Sequence, residues 1–275
     1  MQTTIEITLH HLSPADQELL IALLSEAGYE GFEEGPDQLK AYIPKPLFDA
    51  AALEAITRPR QYTYTRQAIA ARNWNAEWEQ QYQPVVVDDF AGVRAAFHEP
   101  LQGVRHEIVI TPKMSFGTGH HATTWQMMRH MQHISFEGKT VFDFGCGTGI
   151  LAILAEKLGA ARVLAMDVDD WCIDNALENA AQNNCGAITV VQADAPPLDA
   201  GFDVILANIN RHILLQHMQA LSQILNPGGR LLLSGFYTHE NDGMVQAAAP
   251  YGLQLQQQSD KEGWSCLVFT KNQTA

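Results

Sequence analysis

Positive charge is scarce in this sequence of 275 residues. Lysine and arginine together number 17 against 31 aspartates and glutamates, so the formal net charge is −14 at pH 7. A surface this acidic repels a phosphate backbone and favours a cationic partner, so we expect no direct binding of nucleic acid. The alternative is that the acidic surface only keeps the protein soluble.

Cysteine is also scarce, and long apolar runs are missing. The four cysteines lie far apart and form no CxxC pair, so neither a disulfide framework nor a thiolate metal site is expected. No apolar run reaches the ~18 residues that would indicate a transmembrane helix, and no basic-then-apolar leader opens the sequence. We therefore expect a cytoplasmic protein with no membrane association.

Strand and helix patterns alternate over residues 1–70. The order is strand, helix, strand, strand, helix, strand, and Ser13 followed by Pro14 marks the start of the first helix. This order is typical of a small α+β ferredoxin-like domain. In residues 71–84, Trp74, Trp78 and Tyr82 recur every four residues, which predicts a linker helix with an aromatic face that packs against a domain.

Residues 85–275 predict a larger α/β domain. Strand-like runs at 85–87 and 107–111 lead into it, and from residue 140 onward strands alternate with helices. Such alternation indicates a Rossmann-like doubly wound parallel sheet, with its ligand crevice at the carboxyl ends of the strands. Two extended runs at 252–258 and 264–271 predict an antiparallel hairpin that closes the sheet.

A glycine-rich turn joins the first strand of this alternation to a helix. Gly145, Gly147 and Gly149 lack Cβ atoms, so the backbone there can approach a ligand closely. No Lys-Ser/Thr pair follows the last glycine, which excludes the phosphate-binding loop of nucleoside triphosphatases. The third glycine also comes one residue too early for a dinucleotide fingerprint.

Acidic residues end the next two strands, at Asp167 and Asp194. A carboxylate in the first position can accept hydrogen bonds from both hydroxyls of a ribose. With Asp143 before the glycine turn, the pattern resembles the first motifs of class I methyltransferases. That resemblance implies that the turn lies against the amino-acid moiety of S-adenosylmethionine and that Asp194 addresses the adenine. A purely structural turn in another Rossmann-like protein is the alternative.

Two further motifs narrow the resemblance. One reads Phe-Gly-Thr-Gly-His-His-Ala-Thr-Thr at residues 116–124, and the other reads Asn-Ile-Asn at 208–210. With residues 73–84, they resemble the ribosomal protein L11 methyltransferase family (PrmA) across nearly the whole chain, although Ala122 stands where a proline is common. The resemblance implies S-adenosylmethionine as the cofactor, and a ribosomal protein of the large-subunit stalk base as the substrate, recruited by the N-terminal domain. The candidate cofactor contacts are Phe116, Thr118, Thr124, Gly145, Gly147, Gly149, Asp167, Asp194 and Asn208.

Asn208 is the candidate catalytic residue. The methyl group of the cofactor is already activated, so transfer needs a neutral nitrogen that is aligned with it. A lysine amine has a pKa of about 10.4 and is mostly protonated at neutral pH, so the site must favour its neutral form. The amide oxygen of Asn208 can accept hydrogen bonds from an amine and so aim the lone pair of the nitrogen. The alternative is that Asn208 only caps the end of a strand. The ring of Phe116 can face a sulfonium or a methylated ammonium.

The histidines do not predict a metal site. His130 and His133 share a predicted helix with no acidic or cysteine ligand to complete a set, and we interpret them as solvent-facing residues. His120 and His121 stay unassigned.

Two other functions are open: a methyltransferase for another protein or a small-molecule nitrogen, and a non-catalytic module that binds S-adenosylmethionine. Nothing indicates oligomers, so a monomer is expected.

Overall fold

The chain divides into two compact units, Met1–Gln81 and Tyr82–Ala275. The computed structural model describes residues 3–69, 82–113 and 115–273. The predicted linker helix, with Trp74 and Trp78, lies almost entirely outside these residues. Within the described ranges, no helix is both long and apolar enough to cross a membrane.

The N-terminal unit is a four-stranded antiparallel sheet with two helices. In chain order its elements are β1 (Thr4–His10), α1 (Pro14–Glu26), β2 (Gly31–Glu34), β3 (Gln38–Pro44), α2 (Ala50–Thr57) and β4 (Thr63–Ile69). The strands lie in the order β2-β3-β1-β4. Ile7 and Leu9 of β1 are fully buried, because alternate side chains of a strand point to one face. Ser13 caps α1 as predicted, in a reciprocal capping box with Asp16.

A seven-stranded sheet forms the centre of the second unit. Its strands are β8 (Thr140–Phe144), β9 (Arg162–Asp167), β10 (Ile188–Gln192), β11 (Phe202–Asn208), β12 (Leu225–Tyr237), β13 (Leu253–Lys261) and β14 (Trp264–Lys271). The order is β10-β9-β8-β11-β12-β14-β13, parallel from β10 to β12 and antiparallel from β12 to β13. The predicted parallel sheet with its antiparallel closing hairpin is therefore confirmed.

Helices cover both faces of this sheet. They are α3 (Ala122–Met131), α4 (Ile150–Lys157), α5 (Asp170–Gln182), α6 (Arg211–Ile224) and α7 (Asn241–Ala248). Val141 of β8 belongs to a core with α3 and α4, whereas its neighbour Phe142 belongs to a core with α6 and α7. Strands buried on both faces read as continuous apolar runs, which is why the sequence shows them clearly.

A separate three-stranded sheet precedes the large one. It contains β5 (Val85–Val87), β6 (Ala91–Ala95) and β7 (His106–Ile110), with β5 antiparallel and β7 parallel to the central β6. Sequence analysis predicts the two outer strands but misses β6. Its Ala-Gly-Val-Arg-Ala sequence is made mostly of small residues, which carry little strand signal. At Gly92 of β6 a Cβ would lie 2.4 Å from Leu101 Cδ1, so a larger residue there would have to displace the end of the Leu101 side chain.

Asparagine side chains from α5 and from its C-cap residue hydrogen-bond to the backbone of β7 and of Thr111, which follows it. Asn183 accepts from the N–H of Val109 at 2.9 Å and donates to its carbonyl. One turn earlier, Asn179 accepts from the N–H of Thr111 at 2.8 Å, and Asn175 donates to the carbonyl of Thr111 at 3.1 Å. All three side chains are buried. The polar backbone along β7 is therefore satisfied by a helix, and the position of the loop that follows is fixed.

Candidate functional site

A cavity of about 740 Å³ lies at the carboxyl ends of the parallel strands of the large sheet. Its volume is in the range of small-molecule and cofactor sites, and its place is the one expected of an open α/β sheet. Six of the residues predicted from the sequence line it: Phe116, Gly145, Gly147, Asp167, Asp194 and Asn208.

The other three predicted residues do not line the cavity. Thr124 is buried, and its Oγ1 accepts from Nδ2 of Asn208 at 3.2 Å. Thr118 Oγ1 lies 3.1 Å from Nδ1 of His120. Gly149 caps α4, where a Cβ would come within 3.2 Å of the Cβ of Ala176. Thr124 thus supports Asn208, which lines the cavity, and contact between any of the three residues and a cofactor stays a prediction.

The loop that contains Phe116 is fastened to the glycine turn. The N–H of Thr148 donates to the Phe116 carbonyl at 2.9 Å, and its Oγ1 donates to the Gly117 carbonyl at 2.6 Å. A Cβ at Gly147 would lie 2.2 Å from the Phe116 carbonyl oxygen, and Gly147 has a φ of 53°. The missing side chain at Gly147 therefore makes room for the protein's own loop as well as exposing backbone to the cavity.

Asp167 connects the glycine turn to the start of α5. Its Oδ2 accepts from the N–H of Gly147 at 2.9 Å, and its Oδ1 accepts from the N–H groups of Val168 and Asp169 at 2.8 and 3.2 Å. A carboxylate offers about four acceptor positions, so about one is left for a bound hydroxyl. The carboxylate is held in place by the backbone before any ligand binds.

Asp143 lies fully buried beneath the turn. Its Oδ2 accepts from the N–H of Ala152 at 3.1 Å, which satisfies one of the unpaired amides in the first turn of α4. Burial, with a smaller contribution from the negative charge of Asp167, raises the pKa of the Asp143 carboxyl to about 7, although the hydrogen bond from Ala152 lowers it. Asp143 therefore supports the turn from below.

Three potential metal ligands meet at the rim of the cavity. Ligand atoms of Asp167, Asp169 and Cys172 lie within 4.8 Å of one another. Burial raises the pKa of the Cys172 thiol, which keeps it protonated, and metals bind the thiolate. Asp167 is already engaged by three N–H groups. The group therefore offers a poor site for a cation, and the expectation of no metal stays a prediction.

Asn208 ends β11 at the cavity wall. Its Nδ2 is held by Thr124, while its Oδ1 is buried and has no hydrogen-bond partner among the described residues. A buried carbonyl oxygen without a partner costs about 1–3 kcal/mol, so a donor that arrives with a ligand is favoured there. The amide is thus oriented to receive an N–H group.

Sequence analysis names Phe116 as an aromatic contact and leaves His121 unassigned, but it misses Trp264, which lines the same cavity. The ring centroids of Phe116 and His121 lie 5.4 Å apart, and those of His121 and Trp264 lie 4.7 Å apart. Trp264 in turn stacks on Tyr237 at 4.2 Å. The sequence shows Trp264 only as the start of the last strand, because its place at the cavity depends on the pairing of β14 with β12.

The interpretation of His130 as a solvent-facing residue is wrong. Its half-buried ring has Nε2 2.8 Å from Ser259 Oγ and Nδ1 3.2 Å from Gln257 Oε1, both on β13. Burial lowers the pKa of the His130 imidazole, so the neutral ring is favoured. His133, after the end of α3, is exposed as predicted.

Comparisons with known proteins agree with this geometry. Residues 25–272 match the family model described as Ribosomal protein L11 methyltransferase (PrmA). The chain is 44% identical over 261 residues to the Ribosomal protein L11 methyltransferase of Porphyromonas gingivalis, which covers 92% of this chain and 90% of that protein. It is 38% identical over 271 residues to the protein of the same name from Bacteroides thetaiotaomicron, over 94% and 97% of the two chains.

Solved structures show the same fold. A ribosomal protein L11 methylase from Lactobacillus delbrueckii subsp. bulgaricus matches with a TM-score of 0.65 and 30% identity, over 70% of this chain and 100% of that one. A methyltransferase from Pyrococcus furiosus matches with a TM-score of 0.51 and 18% identity, over 60% of this chain and 89% of that one, and shows the shared fold alone.

Proposed function

Because this chain belongs to the ribosomal protein L11 methyltransferase family, we propose that it transfers methyl groups from S-adenosylmethionine to amino groups of ribosomal protein L11. These are lysine side-chain amines, the N-terminal amine, or both. The observation that carries the proposal is the buried, partnerless Oδ1 of Asn208 at the wall of a cofactor-sized cavity.

The residues present fit S-adenosylmethionine. When bound, it supplies a methyl group already activated by a sulfonium. Gly145 and Gly147 would lie along its amino-acid moiety. Their positive φ angles of 76° and 53° favour glycine, and the missing side chains leave the backbone open to the cavity. Asp167 would accept from a ribose hydroxyl with its remaining acceptor position, and Asp194 would address the adenine.

Asn208 would hold the acceptor nitrogen. Thr124 fixes the amide by accepting from its Nδ2, so Oδ1 is the atom left to accept an N–H. A neutral amine donates this hydrogen bond and still keeps a lone pair for the methyl group. Removal of the amine from bulk water in the cavity disfavours its charged form and so lowers its pKa. Asn208 therefore acts by orienting the nitrogen.

We propose that a domain of residues 1–70 recruits the acceptor and that a linker helix at 71–84 joins it to the methyltransferase domain at 85–275. We propose that the acceptor belongs to the stalk base of the large ribosomal subunit and that the enzyme acts as a cytoplasmic monomer. It would contact protein and not nucleic acid. The net charge of −14 supports a cationic protein partner.

Labelled methyl donor tests the proposal. The purified chain is incubated with S-adenosylmethionine carrying a labelled methyl group and with the separated proteins of the large ribosomal subunit. We expect label in L11, located by mass spectrometry. Label in another protein or in a small molecule would move the activity to that acceptor, whereas binding of the donor without any labelled product would identify a non-catalytic module.

A further inference from the structure

The loop at residues 116–121, which we call the Phe116 loop, is attached to the protein on two sides. On one side, two of its backbone carbonyls accept hydrogen bonds from Thr148 of the glycine turn. On the other side, it contacts Tyr82 and Gln83, which we call the entry segment because the second unit of the chain begins there. The loop therefore connects the glycine turn to the entry segment.

His120 holds the Phe116 loop to the entry segment. Its Nε2 lies 2.8 Å from the carbonyl oxygen of Gln83, and its Nδ1 lies 3.1 Å from Oγ1 of Thr118. Because a carbonyl oxygen can only accept, these partners assign the proton to Nε2, and Nδ1 of the neutral ring accepts from the Thr118 hydroxyl. The ring centroids of His120 and Tyr82 lie 4.8 Å apart in a T-shaped contact. His120 thus binds both residues of the entry segment.

A second histidine, His98, fixes the entry segment from outside the loop. Its Nδ1 accepts from the N–H of Ala95, at the end of β6, at 3.2 Å. Its Nε2 therefore carries the proton of the neutral ring and donates to the Tyr82 carbonyl at 2.6 Å. The rings of His98 and Tyr82 also stack, with an interplanar angle of 16°. Two consecutive carbonyls are each held by an imidazole, and only that of His120 belongs to the Phe116 loop.

The Phe116 loop is closely packed on both sides. A Cβ at Gly117 would lie 2.8 Å from Oγ1 of Thr148, and a Cβ at Gly119 would lie 3.3 Å from Cγ2 of Val93 in β6. Both separations are shorter than an ordinary contact between such atoms, so no space is left for side chains at these glycines. In a region packed this closely, a shift on one side of the loop is transmitted to the other.

We infer that His120 is a positioning residue that couples donor binding to the entry segment. The inference rests on the proposed function and deepens it, because the entry segment follows in sequence the residues proposed to recruit the acceptor. His120 does not line the cavity, whereas Phe116 of the same loop does. Binding of S-adenosylmethionine against Phe116 restrains the loop, and His120 passes this restraint to the entry segment. By linkage, a restrained entry segment strengthens donor binding by the same factor.

A fluorine label on Tyr82 tests the coupling without turnover. The full chain is produced with 3-fluorotyrosine, and the Tyr82 signal is identified by its loss in Tyr82→Phe. Because Tyr82 does not line the cavity, S-adenosylhomocysteine should shift this signal only through the protein. We expect saturating S-adenosylhomocysteine to shift the Tyr82 signal and His120→Ala to lose most of that shift. An unmoved signal in the saturated parent chain, or a full shift in His120→Ala, would overturn the inference.

Matched substitutions separate the hydrogen bond of His120 from its bulk. His120→Ala should weaken S-adenosylhomocysteine binding, measured by calorimetry, roughly 3- to 10-fold, which is within the range for the loss of one hydrogen bond. His120→Gln can place an N–H near the position of Nε2, so the affinity should stay close to that of the parent. His120→Asn can accept from Thr118 but is too short to reach Gln83, so it should resemble His120→Ala and replaces it if that variant does not fold.

His133→Ala is the control, because His133 is exposed after the end of α3. It should keep both the donor affinity and the Tyr82 shift of the parent chain. Equal donor affinities in the parent, His120→Ala and His120→Asn would exclude His120 as a positioning residue. Equal losses in His120→Gln and His120→Ala would attribute the effect to packing of the ring and overturn the role of its hydrogen bond.

The proposed function and the coupling can fail separately. If L11 is methylated but the Tyr82 signal does not respond to S-adenosylhomocysteine, the coupling is excluded and the function stands. If the signal responds but L11 receives no label, the coupling stands and the acceptor is a different molecule. If the protein binds neither S-adenosylmethionine nor S-adenosylhomocysteine, the proposed function itself fails and the coupling fails with it.

Discussion

The two sides of the cavity are built in different ways. The side assigned to the methyl donor comes from one stretch of chain, from Gly145 to Asp194, in which each strand is followed directly by its turn. The side assigned to the acceptor joins Phe116, Asn208 and Trp264, which come from distant parts of the sequence. A local motif can thus identify the donor side, whereas the acceptor side exists only once the sheet has formed.

The largest effect is expected on the acceptor side. Asn208→Ala removes the oxygen that orients the nitrogen, so we expect turnover with L11 to fall roughly 100-fold. The affinity for S-adenosylmethionine, measured by calorimetry, should change by less than about threefold, because Asp167 and the glycine turn are untouched. Asn272→Ala, at an exposed position after β14, is the control. A parallel loss of donor binding in Asn208→Ala would show that the two sides are not separate.

A substitution on the donor side should instead weaken the binding of S-adenosylmethionine. Asp167→Ala leaves three backbone N–H groups without their acceptor and removes the charge at the rim, so the affinity for S-adenosylmethionine should fall roughly 30-fold. Asp174→Ala, at an exposed position on α5, should leave the affinity unchanged. Unchanged donor affinity in Asp167→Ala would contradict the assignment of this side.

Gly147 lies where the glycine turn of the donor side contacts the Phe116 loop, so a substitution there should affect both sides of the cavity. In Gly147→Ala the new Cβ must displace the Phe116 carbonyl, so the free energy of unfolding should fall by about 2 kcal/mol and both donor binding and turnover should suffer. Gly103→Ala is a matched control, since Gly103 also has a positive φ, 78°, but nothing lies within 4 Å of its Cβ position. Equal losses in the two variants would attribute the effect to backbone conformation alone.

The smallest effect concerns Asp143, which supports the turn but does not line the cavity. Its carboxyl has a higher pKa in the fold, about 7, than in the unfolded chain, so its ionisation destabilises the fold as pH rises from about 4 to 7. Asp143→Asn cannot ionise and keeps an acceptor for the N–H of Ala152. Its stability relative to the parent should rise by about 1 kcal/mol between pH 6 and pH 7, measured by urea unfolding. A constant difference across these pH values would exclude the buried carboxyl as the cause.

Local sequence patterns predict the donor side of the cavity better than the acceptor side. Residues 204–207 form an apolar run because their strand, β11, is buried on both faces, and Asp167 is recognisable because it ends strand β9. Trp264 carries no such local signal, since its position depends on β12 and β14 pairing over a long separation. His130 is misread for the same reason: its partners on β13 come close only in the folded sheet.

The asparagines of α5 and of its C-cap affect how easily another chain can pair with strand β7. An open strand edge invites pairing with another chain, and β7 ends the three-stranded sheet. Amide side chains carry the same donor and acceptor groups as a backbone, so Asn179 and Asn183 stand in for a fourth strand. The helix and its C-cap residue thereby occupy part of this edge, so another strand would have to displace their amide side chains before it could pair with β7 there.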